Sequence, residues 1–382
     1  MLKNIITGLV TVALLSACQS TPKSTDPAKL ADIQPTQNIS VKWRANIGKT
    51  ETLAFSPVYY QGSIFAANER GQVYEFDYSS GKTLSSFDTK TRLISGVAVL
   101  DDLIFVSDKN AKLLAYHRQT HQKAWEQSLT TILAEAPILV GNVLVTKTKD
   151  GRLSGFNPHS GQTLWTFANN QSALNIRNTG TMTAISDQLF LTGQPGGGLV
   201  VVNAQNGETI WGVIVATPKG ASDLERVTEV LSRPVLADGL VCAVAFQGRV
   251  GCFDVQSGRT QWAQPASSSK GLAAVGSLLI LTEDDGTVKA YNRSNGQVLW
   301  HNTDLKNRNT SAPVLLTNGI LVTDYDSVAH LIDYQTGSII GRNKLGGLGI
   351  LSTQPQRIEY NTLLQGQKGD LIMVQTSGNN NE

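Results

Sequence analysis

The residues of this 382-residue chain whose types could do chemistry are few, and their spacing argues against most of it. The five histidines are His117, His121, His159, His301 and His330, and of these His117 and His121 stand four apart. Imidazoles at that spacing ligate a metal when a helix puts both on one face; here Arg118-Gln-Thr120 between them reads as a turn. Gly48-Lys-Thr50 and Gly81-Lys-Thr83 end like phosphate-binding loops, but Trp43 and Phe76 stand where the first Gly of that motif belongs. Gly346-Gly-Leu-Gly349 lacks the third Gly of a dinucleotide site. No Gly-x-Ser-x-Gly nucleophile turn occurs. The residues therefore predict no enzyme, no metal and no cofactor. Net charge is +2 with no basic run, which removes the electrostatic case for nucleic acid.

What the chain does carry is a repeated unit, and anything functional must be mounted on it. A small residue, a short strand, an aromatic, Asp or Asn, Gly four residues on and often Trp recur eight times. The clearest copies run from Gly151 through Phe156, Asn157 and Gly161 to Trp165, and from Gly286 through Tyr291, Asn292 and Gly296 to Trp300. Copies start at 71, 111, 151, 197, 248, 286, 327 and 369, a period of 38–51 residues, which is that of propeller blades. In the third copy, residues 136–140, 143–148, 153–156 and 164–167 read as four strands. Lys149-Asp150-Gly151 and Asn157-Pro158-His159-Ser160-Gly161 read as turns between them. Strands apolar on both faces need cover on both, and radial stacking of blades supplies it. All six Trp (Trp43, Trp125, Trp165, Trp211, Trp262 and Trp300) fall on outer strands, as wedges between blades.

The last copy lacks an outer strand, and residues 41–46 form an outer strand without inner ones. Pairing them closes the ring and covers an exposed edge. The expected fold is thus all-β: an eight-bladed β-propeller of four-stranded antiparallel blades, closed by the N-terminal strand, over residues 40–376. Residues 377–382 are expected to be a disordered tail.

Before the propeller, Lys3 and the apolar run 5–15 precede Leu15-Ser-Ala-Cys18. The run is too short to span a bilayer. Leu-Ser-Ala-Cys resembles the lipobox of bacterial lipoproteins. The resemblance implies a signal peptide over 1–17, lipidation of Cys18 and, with Gln19 following, the outer membrane. Residues 18–39, rich in Ser, Thr, Pro and Lys, read as a flexible tether. Cys242 and Cys252 flank the Gln247-Gly248 turn. An oxidising compartment allows a disulfide, but their register is either opposite or one residue off. The alternative is two small buried thiols, which the place of Cys252 at the position of Ala115, Gly155 and Ala290 favours.

The repeat core, as in Asp254-Val-Gln-Ser-Gly258-Arg-Thr-Gln-Trp262, resembles that of pyrroloquinoline-quinone dehydrogenases. It carries the alternative of a periplasmic dehydrogenase-like enzyme, but this chain lacks that family's adjacent cysteine pair. Lipobox, tether, eight copies and length together resemble the BamB family, lipoproteins of the outer-membrane β-barrel assembly machine. Ser172-Ala-Leu174-Asn-Ile176-Arg177 and the stretch Glu225-Arg226-Val-Thr-Glu229-Val-Leu231-Ser-Arg-Pro234 are similar to two family loops. The resemblance implies that these loops contact a periplasmic POTRA domain of BamA, through Leu174, Ile176, Arg177 and Glu229, with Leu231 replacing an acid. It also implies a non-enzymatic scaffold, a single propeller within a hetero-complex, anchored to the outer membrane and facing the periplasm. Spacing points to the same surface: from Trp to the next blade the gaps are 18 and 23 residues at these loops, against 10–14 elsewhere.

Overall fold

An Asx side chain and a glycine fold the second turn of each repeat. In the third, Asn157 Oδ1 accepts hydrogen bonds from the amides of His159 (2.9 Å) and Ser160 (3.1 Å). Gly161, at φ +72°, donates to the Asn157 carbonyl at 2.9 Å. Asp77, Asp254 and Asp333 repeat this side-chain pattern. His117 and His121 take the same two places, with His121 itself at φ +58°, so they are turn residues.

A computed structural model describes residues 25–50, 54–167, 182–222 and 225–378. In them the strands form eight four-stranded antiparallel sheets. Blades 1–7 span residues 58–88, 98–128, 138–167, 183–214, 235–266, 271–302 and 314–344. Blade 8 takes its three inner strands from 356–378 and its outer strand from Gln37–Asn46. Eight apolar clusters each join two consecutive blades, the last joining blade 8 to blade 1. The core is therefore a circle of seams, as closure requires.

All six Trp lie on outermost strands. Each indole N–H donates to a carbonyl in the second turn of the following blade, over 2.6–3.0 Å. The turn glycine of that blade lies under the indole ring: a Cβ on Gly207 would stand 2.5 Å from Trp165. Two seams lack the indole. Blade 7 has Gly341 in its place, where the Gln37 carbonyl approaches too closely for a side chain. Blade 1 has Ser85, opposite Glu75. There Arg118 from the next blade reaches back, its Nη2 2.5 Å from Glu75 Oε1 and its guanidinium 5.0 Å above the Phe65 ring.

The closing ribbon is longer than the expected 40–376 span, because pairing runs from Gln37↔Gly378 to Asn46↔Asp370. The segment expected to be a tether also differs from its composition-based reading. Residues 26–36 lie against blades 6 and 7 instead of standing free. Ala28 exchanges hydrogen bonds with Lys306 and Arg308, and Asn307 donates to the Asp26 carbonyl. Arg342 donates to the Ala31 carbonyl, and Leu30 packs on the seam between the two blades. Backbone groups at Asp26, Ala28, Ala31 and Thr36 are thus satisfied by the ring. Cys242 and Cys252 stand directly opposite, with Cα atoms 4.1 Å apart, and are joined by a disulfide.

Candidate functional site

The connections entering blades 4 and 5 span 15 and 20 residues, against 4–11 for the others of the same kind. All run from an outermost strand to the next innermost one, so they share one end of the ring. Where the two long loops enter their blades, Met182 and Arg233 line a common stretch of the axial channel with Glu135.

Leu174, Ile176 and Arg177 lie outside the described residues, as does Cys18. The structure corrects the expectation for Glu229 and Leu231. Both are buried, at 4% and 8% exposure, so neither presents a side chain for outward contact. The Glu229 backbone bridges to Pro195 and Phe246, threading residues 227–232 between the turns of blades 4 and 5. The exposed part of this loop is its tip, with Lys219, Glu225 and Arg226. Glu225 Oε2 accepts from the amides of Ala221 (2.9 Å) and Ser222 (3.0 Å), and these bonds lower its pKa. Ser222 Oγ accepts from the Glu225 amide, completing a reciprocal cap that shapes the tip.

Beneath the roots lies a buried charged group that the sequence reading missed. Lys147 is fully enclosed, and its Nζ donates to the Gly193 carbonyl at 2.8 Å and Thr192 Oγ1 at 3.3 Å. Glu135 Oε2 accepts from the Met182 amide at 2.9 Å. Burial pushes the Glu135 carboxyl up to about 7, opposed by the Lys147 charge, the Met182 amide and Arg233. Burial lowers the Lys147 ammonium, with Glu135 and Glu229 opposing. The available signal was a lysine at the end of the apolar strand Val143–Lys147.

The loop end of the axis opens into a cavity of about 860 Å³. Arg92, Lys109, Lys149, Arg233 and Lys270 line it, with Glu69, Glu135 and Asp324. Asp324 is committed to its own blade: Arg308 Nε is 2.7 Å and His330 Nε2 3.1 Å from its Oδ2. Arg342 Nε lies 3.3 Å from His330 Nδ1, which makes Nδ1 the acceptor and Nε2–H the donor to Asp324. Among the described residues no group of three His, Cys, Asp or Glu is arranged to hold a metal, and no helix is long and apolar enough to cross a membrane.

Comparison with known proteins bears on this arrangement. The family model described as outer membrane protein assembly factor BamB matches residues 69–302. A protein of that name from Bordetella pertussis is 31% identical over 98% of this chain and 96% of its own length. One from Burkholderia pseudomallei is 31% identical over 89% of each. The crystal structure of BamB from Moraxella catarrhalis superposes with a TM-score of 0.79 at 23% identity, covering 88% of this chain and 99% of the other. At that identity the likeness concerns the fold.

Proposed function

Because this chain belongs to the BamB family of outer membrane protein assembly factors, we propose that it is a non-enzymatic scaffold of that assembly. Its lipidated Cys18 anchors it to the outer membrane, and it works on the periplasmic side. Its loop face docks a POTRA domain of BamA and assists folding and insertion of β-barrel proteins. The observation that carries this reading is the pair of long loops on adjacent blades, rising from one end of an otherwise regular ring. Function concentrates in loops that outgrow their siblings on a rigid scaffold. Leu174 and Ile176 supply an apolar centre, and Arg177 and the Lys219–Glu225–Arg226 tip a polar rim. Glu229 and Leu231 act from beneath, by holding the second loop in place.

The test is co-purification from detergent-solubilised envelopes. Leu174→Ala and Arg177→Ala should each reduce recovery of the assembly complex roughly tenfold, the effect of losing one interface anchor. Their melting transitions should stay at the wild-type temperature. Full recovery with both variants contradicts this placement of the interface.

A further inference from the structure

We infer that the axial cavity is a binding site for a small organic anion, whose carboxylate is received by Arg233. This inference does not depend on docking of a partner, and its failure leaves the scaffold reading untouched.

Arg233 is the central observation. It is exposed by surface area, yet protein surrounds it closely enough that burial lowers its pKa, with Glu135 opposing. Both hold because Arg233 lines the axial channel, bordering the cavity on one side and the smaller stretch with Met182 and Glu135 on the other. Among the described residues no acceptor takes a hydrogen bond from it; its remaining interaction is the charge of Glu135. A guanidinium carries five donors in a planar fork matched to a carboxylate, and such a charged, two-pronged pair is stronger than a neutral hydrogen bond.

The surroundings add to this. Five cationic side chains line the cavity against three carboxylates. Glu69 and Arg92 pair at 3.2 Å and cancel, which leaves four cations, and Asp324 is engaged by Arg308 and His330. Glu135, raised to about 7, carries only part of a charge near neutrality, and its buried Oε1 has no hydrogen-bond partner. The field in the funnel is therefore positive, which concentrates anions. Leu231 and Ile350 contribute apolar wall, and about 860 Å³ is the size of a small-molecule site. An apolar wall with a few convergent donors selects an organic body bearing carboxylates over a bare inorganic ion.

Isothermal titration of the purified full chain in detergent tests this, with citrate and inorganic phosphate as separate probes. Citrate should bind, and Arg233→Gln should weaken it roughly tenfold or more, the worth of a charged hydrogen bond. Arg259→Gln, on an exposed turn at the outer rim, should leave it unchanged. If Arg233→Gln fails to fold, the Lys109→Gln/Lys149→Gln double variant replaces it and should weaken citrate several-fold. Absence of citrate binding at millimolar concentration, equal affinity in the variants, or binding of phosphate without citrate would each overturn the inference.

Discussion

Asp324 shows how much one buried side chain carries in this ring. It is fully buried and receives Arg308 and His330 together. Burial alone would raise its pKa, but hydrogen bonds from His330, Arg308 and the Val328 amide outweigh that and hold it below 3.8. A carboxylate so depressed contributes stability that is present above 3.8 and lost as pH falls through its folded value. His330 is lowered by burial in spite of Asp324, so acidification below 6.5 also favours the unfolded chain, which takes up the proton more readily. Asp324→Asn should cost about 1.5–3 kcal/mol at pH 7, because Arg308 loses its charged hydrogen bond to the buried carboxylate and keeps Asp326 as its one acidic partner. Denaturation at several pH values should show that difference shrinking below 3.8; a difference independent of pH contradicts the assignment. Gly207→Ala should cost about 1–3 kcal/mol, since φ is +76° and the new methyl meets Trp165. The roles of Gly207 and Trp165 were legible in the sequence because the repeat states them several times over. Arg233 was not legible, because its environment is built by residues from several blades that no local pattern connects. Glu229 and Leu231 misled for a related reason: their assignment rests on a local alignment with the family loops, and the bridges that bury Glu229 join turns distant in sequence.

At the scale of the seam, the indole wedge is the rule, and the blade 1–2 boundary is an informative exception. Ser85 and Glu75 replace the large–small pair found at Trp165 and Gly155, and Arg118 fills the space from across the seam. Ser63 and Ser85 also donate to Glu75, and these bonds with Arg118 lower its pKa against the effect of burial. Arg118→Ala should cost about 1.5–3 kcal/mol, as expected for a lost charged hydrogen bond. The triple variant Glu75→Gly/Ser85→Trp/Arg118→Ala should recover most of that by rebuilding the ordinary wedge. Chemical denaturation of the two variants decides it, and a triple variant weaker than Arg118→Ala would show that the seam cannot accept an indole. The missing Trp was visible in the first repeat, but its replacement was not, since Glu75 and Arg118 are 43 residues apart. The disulfide falls between these cases: the sequence placed both cysteines beside one hairpin turn, and the register that sets them opposite needed the structure.

For the whole molecule, blade number and closure followed from counting repeats and noticing that the two ends complement each other. Composition misjudged the tether, because a polar segment has backbone groups that a neighbour can satisfy, and Arg308 and Arg342 do so. Freeing that strap with Arg308→Ala and Arg342→Ala should speed tryptic cleavage at Lys29 several-fold, and unchanged cleavage would mean the strap is held by other contacts. With Cys18 lipidated as proposed, the chain from there to Asp26 reaches at most about 29 Å. The rim at Asn307, where Asp26 is held, then stays within that distance of the bilayer. That rim belongs to the same end of the ring as the long loops, so anchor and docking face are joined. The most direct measurement shortens the first long loop within residues 168–181 and the second at its exposed tip, residues 217–226, keeps the buried stretch 227–232, and follows co-purification with the assembly complex. The expected result is a propeller that melts as wild type and recovers no complex. A folded, loop-shortened propeller that still recovers it would contradict docking through this face.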